Sequence, residues 1–139
     1  MSDKTYVCVA NIGVADAFDK KYKSTLPKLI KATTENAINR SSKLTTKAPP
    51  DKNEKGFYLE GNLNSLMKTA KGNRIVIGGK MTMQLATWPD KRIFATSNTG
   101  AKLETSESDN IDDAVEDAVK EILGDLLPKV IPVLEKEAP

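Results

Sequence analysis

Residues 57–88 read FYLEGNLNSLMKTAKGNRIVIGGKMTMQLATW, and their alternation decides the fold. In an extended chain, side chains two apart share a face. Phe57, Leu59, Gly61 and Leu63 therefore fall on one side, and Tyr58, Glu60, Asn62 and Asn64 on the other. Ala70, Lys71, Gly72 and Asn73 supply turn chemistry, and the alternation then resumes. From Arg74 to Trp88, Ile75, Ile77, Gly79, Met81, Met83 and Leu85 face inward, while Lys80, Thr82 and Gln84 face outward. Pro89, Asp90 and Lys91 reverse the chain again, and Arg92 to Leu103 forms a partner strand rich in Thr, Ser and Asn. Such alternation fits antiparallel strands with one wet face.

Working outward, Thr5 to Val14 is a strand apolar on both faces, with Val7 and Val9 opposite Tyr6, Cys8, Ala10 and Ile12. That pattern predicts a central place in the sheet. Residues 15–40 are predicted helical in two pieces, carried by Phe18, Tyr22, Leu26, Leu29, Ile30, Ala37 and Ile38. Ser24 or Thr25 can cap the second piece, with Pro27 in its first turn. Residues 41–56 are polar and contain Pro49 and Pro50, which predicts a long mobile loop. After the strands, Ile111, Ala114, Val115, Ala118, Val119, Ile122, Leu123, Leu126 and Leu127 make a wide apolar helical stripe. Ser108, Asp109 or Asn110 caps it, and Pro128 and Pro132 are expected to kink or break its end. The fold predicted is α+β in the order β-α-β-β-β-α, a four-stranded mixed sheet packed with two main helices. The first crossover is long enough to make the first two strands parallel. One domain over residues 1–139 suits this length.

Composition narrows the chemistry. The chain has no histidine, which excludes histidine triads, imidazole acid–base catalysis and histidine metal sites. One cysteine, Cys8, can form neither an internal disulfide nor a thiolate zinc site. Gly78, Gly79 and Lys80 lie mid-strand and lack the spacing of a phosphate loop, so the glycines read as a bulge or a close packing point. The acids from Glu104 to Asp117 lack calcium-loop spacing and suit a helix N-terminus. Glu60 and Asp90, the exposed carboxylates that might pair for acid–base work, are on different elements. No cofactor or metal is expected, and the chain is not expected to be an enzyme; a small-ligand enzyme that works without histidine is the remaining alternative.

Charge is uneven. Residues 1–103 carry 18 Lys/Arg against 8 Asp/Glu, and residues 104–139 carry 3 against 11. Lys20, Lys21, Lys23, Lys28 and Lys31 cluster on the first helical segment, where they can meet phosphates or another anionic polymer. The α-β-β-β-α tail resembles the double-stranded-RNA-binding domain in order. That family uses a basic start to its last helix, whereas this start is acidic, which argues against nucleic acid. The first residues have no signal-peptide pattern, so the cytoplasm is the expectation as the sequence stands. An exported or periplasmic mature form is the alternative. No stretch has the roughly 20 apolar residues that span a bilayer.

The stretch from Gly56 to Leu134 resembles a set of short bacterial proteins, often exported, found in myxobacteria and their relatives. The resemblance rests on GFYLEGNLNSL, KMTMQLATWPDKRIF, AVEDAVKEIL and KVIPVL. More distantly, the element order is similar to the small α/β domain of the Tol translocation protein N-terminus, peptidoglycan-synthase activator lipoproteins and the curli secretion channel. That resemblance implies a protein that binds partners or assembles, with no active-site residues to transfer. The function expected is a protein-interaction or self-associating module. Trp88 and Phe94, flanking the Pro89 reversal, are its candidate contact residues. Lys20, Lys21 and Lys28 are those of the anionic-polymer alternative.

Overall fold

The computed structural model describes residues 4–49, 54–106 and 110–138. In chain order the elements are β1 (Thr5–Val14), α1 (Tyr22–Asn39), β2 (Leu44–Thr45), β3 (Gly56–Lys71), β4 (Arg74–Trp88), β5 (Ile93–Ser106) and α2 (Ile111–Glu137). They form one sheet in the order β2-β1-β3-β4-β5. β1 runs parallel to β2 and β3, and β3, β4 and β5 form an antiparallel meander. The fold is α+β in the expected order, with five strands instead of four.

The added strand, β2, lies inside the segment read as a loop. Leu44 is the reason: it is an apolar side chain in a polar run, and it is fully buried in the core. Thr5 N donates to the Lys43 carbonyl at 2.8 Å, which fixes the segment against β1. Pro50, half of the proline pair, lies outside the described residues.

Val7, Val9, Phe57, Leu59, Leu63, Leu66, Ile77, Met81, Met83 and Leu85 line the inner face, all 6% exposed or less. Both helices cover this face, α1 over β1 and α2 across β4 and β5, and they touch each other. Burying each large side chain contributes about 1.5–3 kcal/mol, so the stripe on α2 holds the domain closed. The Asn110 side chain caps α2 by accepting from Asp112 N at 2.9 Å and Asp113 N at 3.3 Å. Ser108 and Asp109, the other candidate caps, lie outside the described residues.

Three local readings change. The helix predicted over residues 15–40 begins at Tyr22 and is one piece, with Pro27 inside it and no side-chain cap. Residues before it tie to β3 instead, through Ala15 N to the Leu63 carbonyl and Phe18 N to the Leu66 carbonyl. Pro128 and Pro132 do not end α2, which continues to Glu137. Gly124, Pro128 and Pro132 share its solvent side, so the carbonyls that lose partners face water, while buried Val130 and Leu134 hold the last turns to the core. In β1 a bulge falls at Asn11, whose φ is +25°, and the register shifts between Ala10 and Ile12. The extra residue turns Ile12 and Val14 toward the core, and leaves Tyr6, Cys8 and Ala10 on the outer face. Cys8 is accordingly half-buried, and β1 is covered on one side only.

Candidate interaction surface

The Pro89 reversal is built by Thr87. Its backbone N donates to the Arg92 carbonyl at 2.9 Å, and its hydroxyl donates to Asp90 Oδ1 at 2.6 Å. Lys91, with φ +53°, swings over the outer face of the sheet. Its Nζ lies 2.8 Å from Glu60 Oε1 and 5.8 Å from the centre of the Tyr58 ring. Asn11 Nδ2 donates to the other Glu60 oxygen at 2.8 Å. Lys91 first, and Asn11 second, hold the Glu60 carboxyl below the usual carboxylate range. Glu60 and Asp90 thus each have their own partners, and neither is set up as the other's acid or base.

Trp88 and Phe94 do not stack on each other. Trp88 meets Tyr6 edge to face, with ring centres 5.0 Å apart and planes at 85°. Burial, and a hydrogen bond with Cys8, push the Tyr6 phenol up to about 12. Phe94 packs on Phe57, with centres 5.6 Å apart, and remains 38% exposed. Both residues line one cleft of about 700 Å³, together with Pro89, Lys55 and Glu137. The structure therefore brings the two aromatics to one end of the sheet as separate pairs around a common opening.

The lysines just before and along α1 divide. Lys21 Nζ lies 2.9 Å from Asp112 Oδ1, which also accepts from the Tyr22 hydroxyl at 2.6 Å. This junction ties the start of α1 to the start of α2, and takes Lys21 out of the basic face. The hydrogen bond to Asp112 raises Lys21, and the Tyr22 and Lys21 donors lower Asp112. Lys20 and Lys28 are exposed, with Lys23 and Lys31 beside them.

The last strand, which the sequence already offers as an edge able to pair across an interface, forms the long outer edge. β5 is the last strand of the sheet, and its other side has no strand neighbour among the described residues. From Ile93 to Ala101 it has no charged residue and no proline; Lys102 is the first charge. Ile93 is 57% exposed. Natural edges are blunted by charge, proline, bulges or cover; this stretch has neither charge nor proline, and its one bulge, at Phe94, lies at its start, leaving Ala95 to Ala101 in regular register with β4. The signal was legible as nine uncharged residues in a chain in which 29% are charged.

No protein-family model matches this chain, and no curated protein matches it. Solved structures share its fold at low identity. A protein from Xanthomonas campestris assigned to family DUF330 superposes with a TM-score of 0.62 at 13% identity, over 94% of this chain and 83% of that one. PelC from Paraburkholderia phytofirmans, solved as a dodecamer, gives 0.52 at 12% identity, with 91% of each chain covered. A minor lipoprotein from Acinetobacter baumannii gives 0.53 at 7% identity, over 91% of this chain and 92% of that one. At these identities the likeness is one of fold. The fold thus occurs in bacterial lipoproteins and in an oligomer. No helix among the described residues is long and apolar enough to cross a membrane.

Proposed function

We propose that this chain is a non-enzymatic assembly module that pairs with further copies of itself along the β5 edge. The observation that carries the reading is the uncharged run from Ile93 to Ala101 on an open edge. From Ala95 onward, backbone donors and acceptors are ready to continue the sheet, and Ile93 and Phe94, at the bulge, add apolar area at one end. The dodecameric state of PelC supports an oligomer for this fold. The likeness to a minor lipoprotein supports an exported setting.

Light scattering after size exclusion tests this directly. Wild type is expected to run as a defined oligomer at high micromolar concentration. Ile93→Lys with Thr96→Lys places two charges on exposed edge positions and is expected to give a folded monomer. A monomeric wild type, or an oligomer that survives both charges, overturns the reading.

A further inference from the structure

Asn11, Glu60, Asn62, Asn64, Thr82 and Gln84 surround a shallow hollow of about 490 Å³ on the outer face of the sheet. Its lining is electrically quiet. The one charged side chain is Glu60, and Lys91 neutralises it from 2.8 Å. What remains is amide and hydroxyl. Asn62 Nδ2 donates to Asn64 Oδ1 at 2.6 Å, and Asn64 Nδ2 donates to Thr82 Oγ1 at 2.7 Å. This chain fixes the orientation of both amides before any ligand arrives. Each amide has two donor protons and two acceptor sites, so among the described residues Asn62 keeps three of its four uncommitted and Asn64 keeps two. Gln84 makes no side-chain hydrogen bond among the described residues and stands exposed at the rim.

Two further features mark the hollow as more than a wet sheet face. Asn11 occupies the left-handed region at +25°, an uncommon conformation for a residue other than glycine, and the bulge there aims its amide at Glu60. Backbone outliers of this kind concentrate where a side chain is aimed for use. Next to Glu60 on the same face stands Tyr58, with the Tyr6–Trp88 pair beyond it. Polar groups in the middle and aromatic rings at one end make an amphipathic strip.

We infer that this hollow binds a neutral carbohydrate. A sugar hydroxyl both donates and accepts, and so does an amide side chain, whereas a phosphate needs net positive charge and a metal ion needs several carboxylates. The pleat sets facing side chains about 5 Å apart across strands, a span that matches hydroxyls on non-adjacent carbons of one sugar ring, and Asn64, the extra residue where β3 shifts register, is drawn in beside Asn62. The apolar face of a ring can rest on the tyrosine end. The residues differ from those of the β5 edge, so the inference does not depend on assembly.

The test is a titration of ¹⁵N-labelled protein with soluble six-sugar oligomers of glucose and of N-acetylglucosamine. At least one is expected to shift the side-chain amide signals of Asn62, Asn64 and Gln84 saturably, with little change when salt is raised. Gln84→Ala is expected to weaken that binding about tenfold, the worth of one or two hydrogen bonds. Gln84 is exposed, so the variant should keep its fold, and an unchanged spectrum of core residues confirms this. No shift with either oligomer at millimolar concentration overturns the inference. So does binding that is equal in the variant, or a response to heparin alone that salt abolishes.

Discussion

Gly78 and Gly79 are neighbours in β4 and look out on opposite sides of the sheet. A Cβ on Gly79 would lie 2.9 Å from Ile122 Cδ1 and 3.2 Å from the Ser65 carbonyl oxygen. A Cβ on Gly78 would meet Lys102 Cγ at 3.6 Å, an ordinary contact. One face is filled to contact by α2. The other is open, and its side chains answer to water and to each other. The same alternation produced both, so close packing is confined to one face of the sheet and the other is left free of it.

The sharpest way to break this division is to charge the closed face. Ile122 is fully buried among the strands and Gly79. Ile122→Asp would bury a carboxylate with no cation near it, and is expected to abolish cooperative thermal unfolding. Asn98→Asp, the same charge at an exposed position opposite Thr82, is expected to stay within about 0.5 kcal/mol of wild type. Comparable losses from the two variants would erase the distinction.

Leu44 comes next. It is the foot of β2 and fully buried, although it sits in a polar segment. Leu44→Ala is expected to cost about 2–5 kcal/mol in urea denaturation. Exposed Lys47 and Ala48, a few residues on, should tolerate substitution with almost no loss. An unchanged midpoint for Leu44→Ala would mean that the segment carries no part of the core.

The glycine pair then sharpens the contrast to one Cβ. Gly79→Ala must displace Ile122 or strain β4, and is expected to cost about 1–3 kcal/mol. Gly78→Ala meets only the flexible stem of Lys102, and is expected to be neutral or slightly stabilising, because alanine restricts the unfolded chain. Equal effects in melting experiments would show that the packing difference is not felt.

The long alternations were legible because they repeat: Phe57 to Leu63 and Ile75 to Leu85 each state the period several times over. Single-residue events were not. Nothing in β1 announces that Asn11 is an extra residue, apart from asparagine's tolerance of positive φ. One bulge was enough to move Ile12 from the outer face to the inner one. Leu44 was hidden for a related reason, since one apolar residue has no period. Pro128 and Pro132 misled because local propensity argued for a stop, whereas Val130 and Leu134 supplied enough buried surface to continue. Trp88, Phe94 and the α1 lysines were visible as residue types, but their pairings with Tyr6, Phe57 and Asp112 join elements far apart in sequence. The amide hollow was half-legible: Asn62, Asn64, Thr82 and Gln84 could be placed on one face, while Asn11 and Lys91 reach it only through a bulge and a turn.

The smallest expected effect tests the open face by its own electrostatics. Glu60 is held below the usual carboxylate range by Lys91 and Asn11. A carboxylate lowered in the folded state adds stability above its unfolded value, about 4.3, and loses that contribution as the pH falls through the folded value. Glu60→Gln removes the charge and nearly keeps the shape. The Lys91 side chain is 47% exposed, so solvent screens the pair, and the loss at neutral pH is expected to stay below about 1 kcal/mol. At a pH well below the folded value, wild-type Glu60 is itself neutral, and the two proteins should unfold at the same urea concentration. A loss of several kcal/mol at neutral pH would mean that Glu60 anchors a second core on the outer side. A small loss that persists unchanged in acid would mean that the side chain acts through shape or hydrogen bonding, and that its charge is not what holds Lys91 over the sheet.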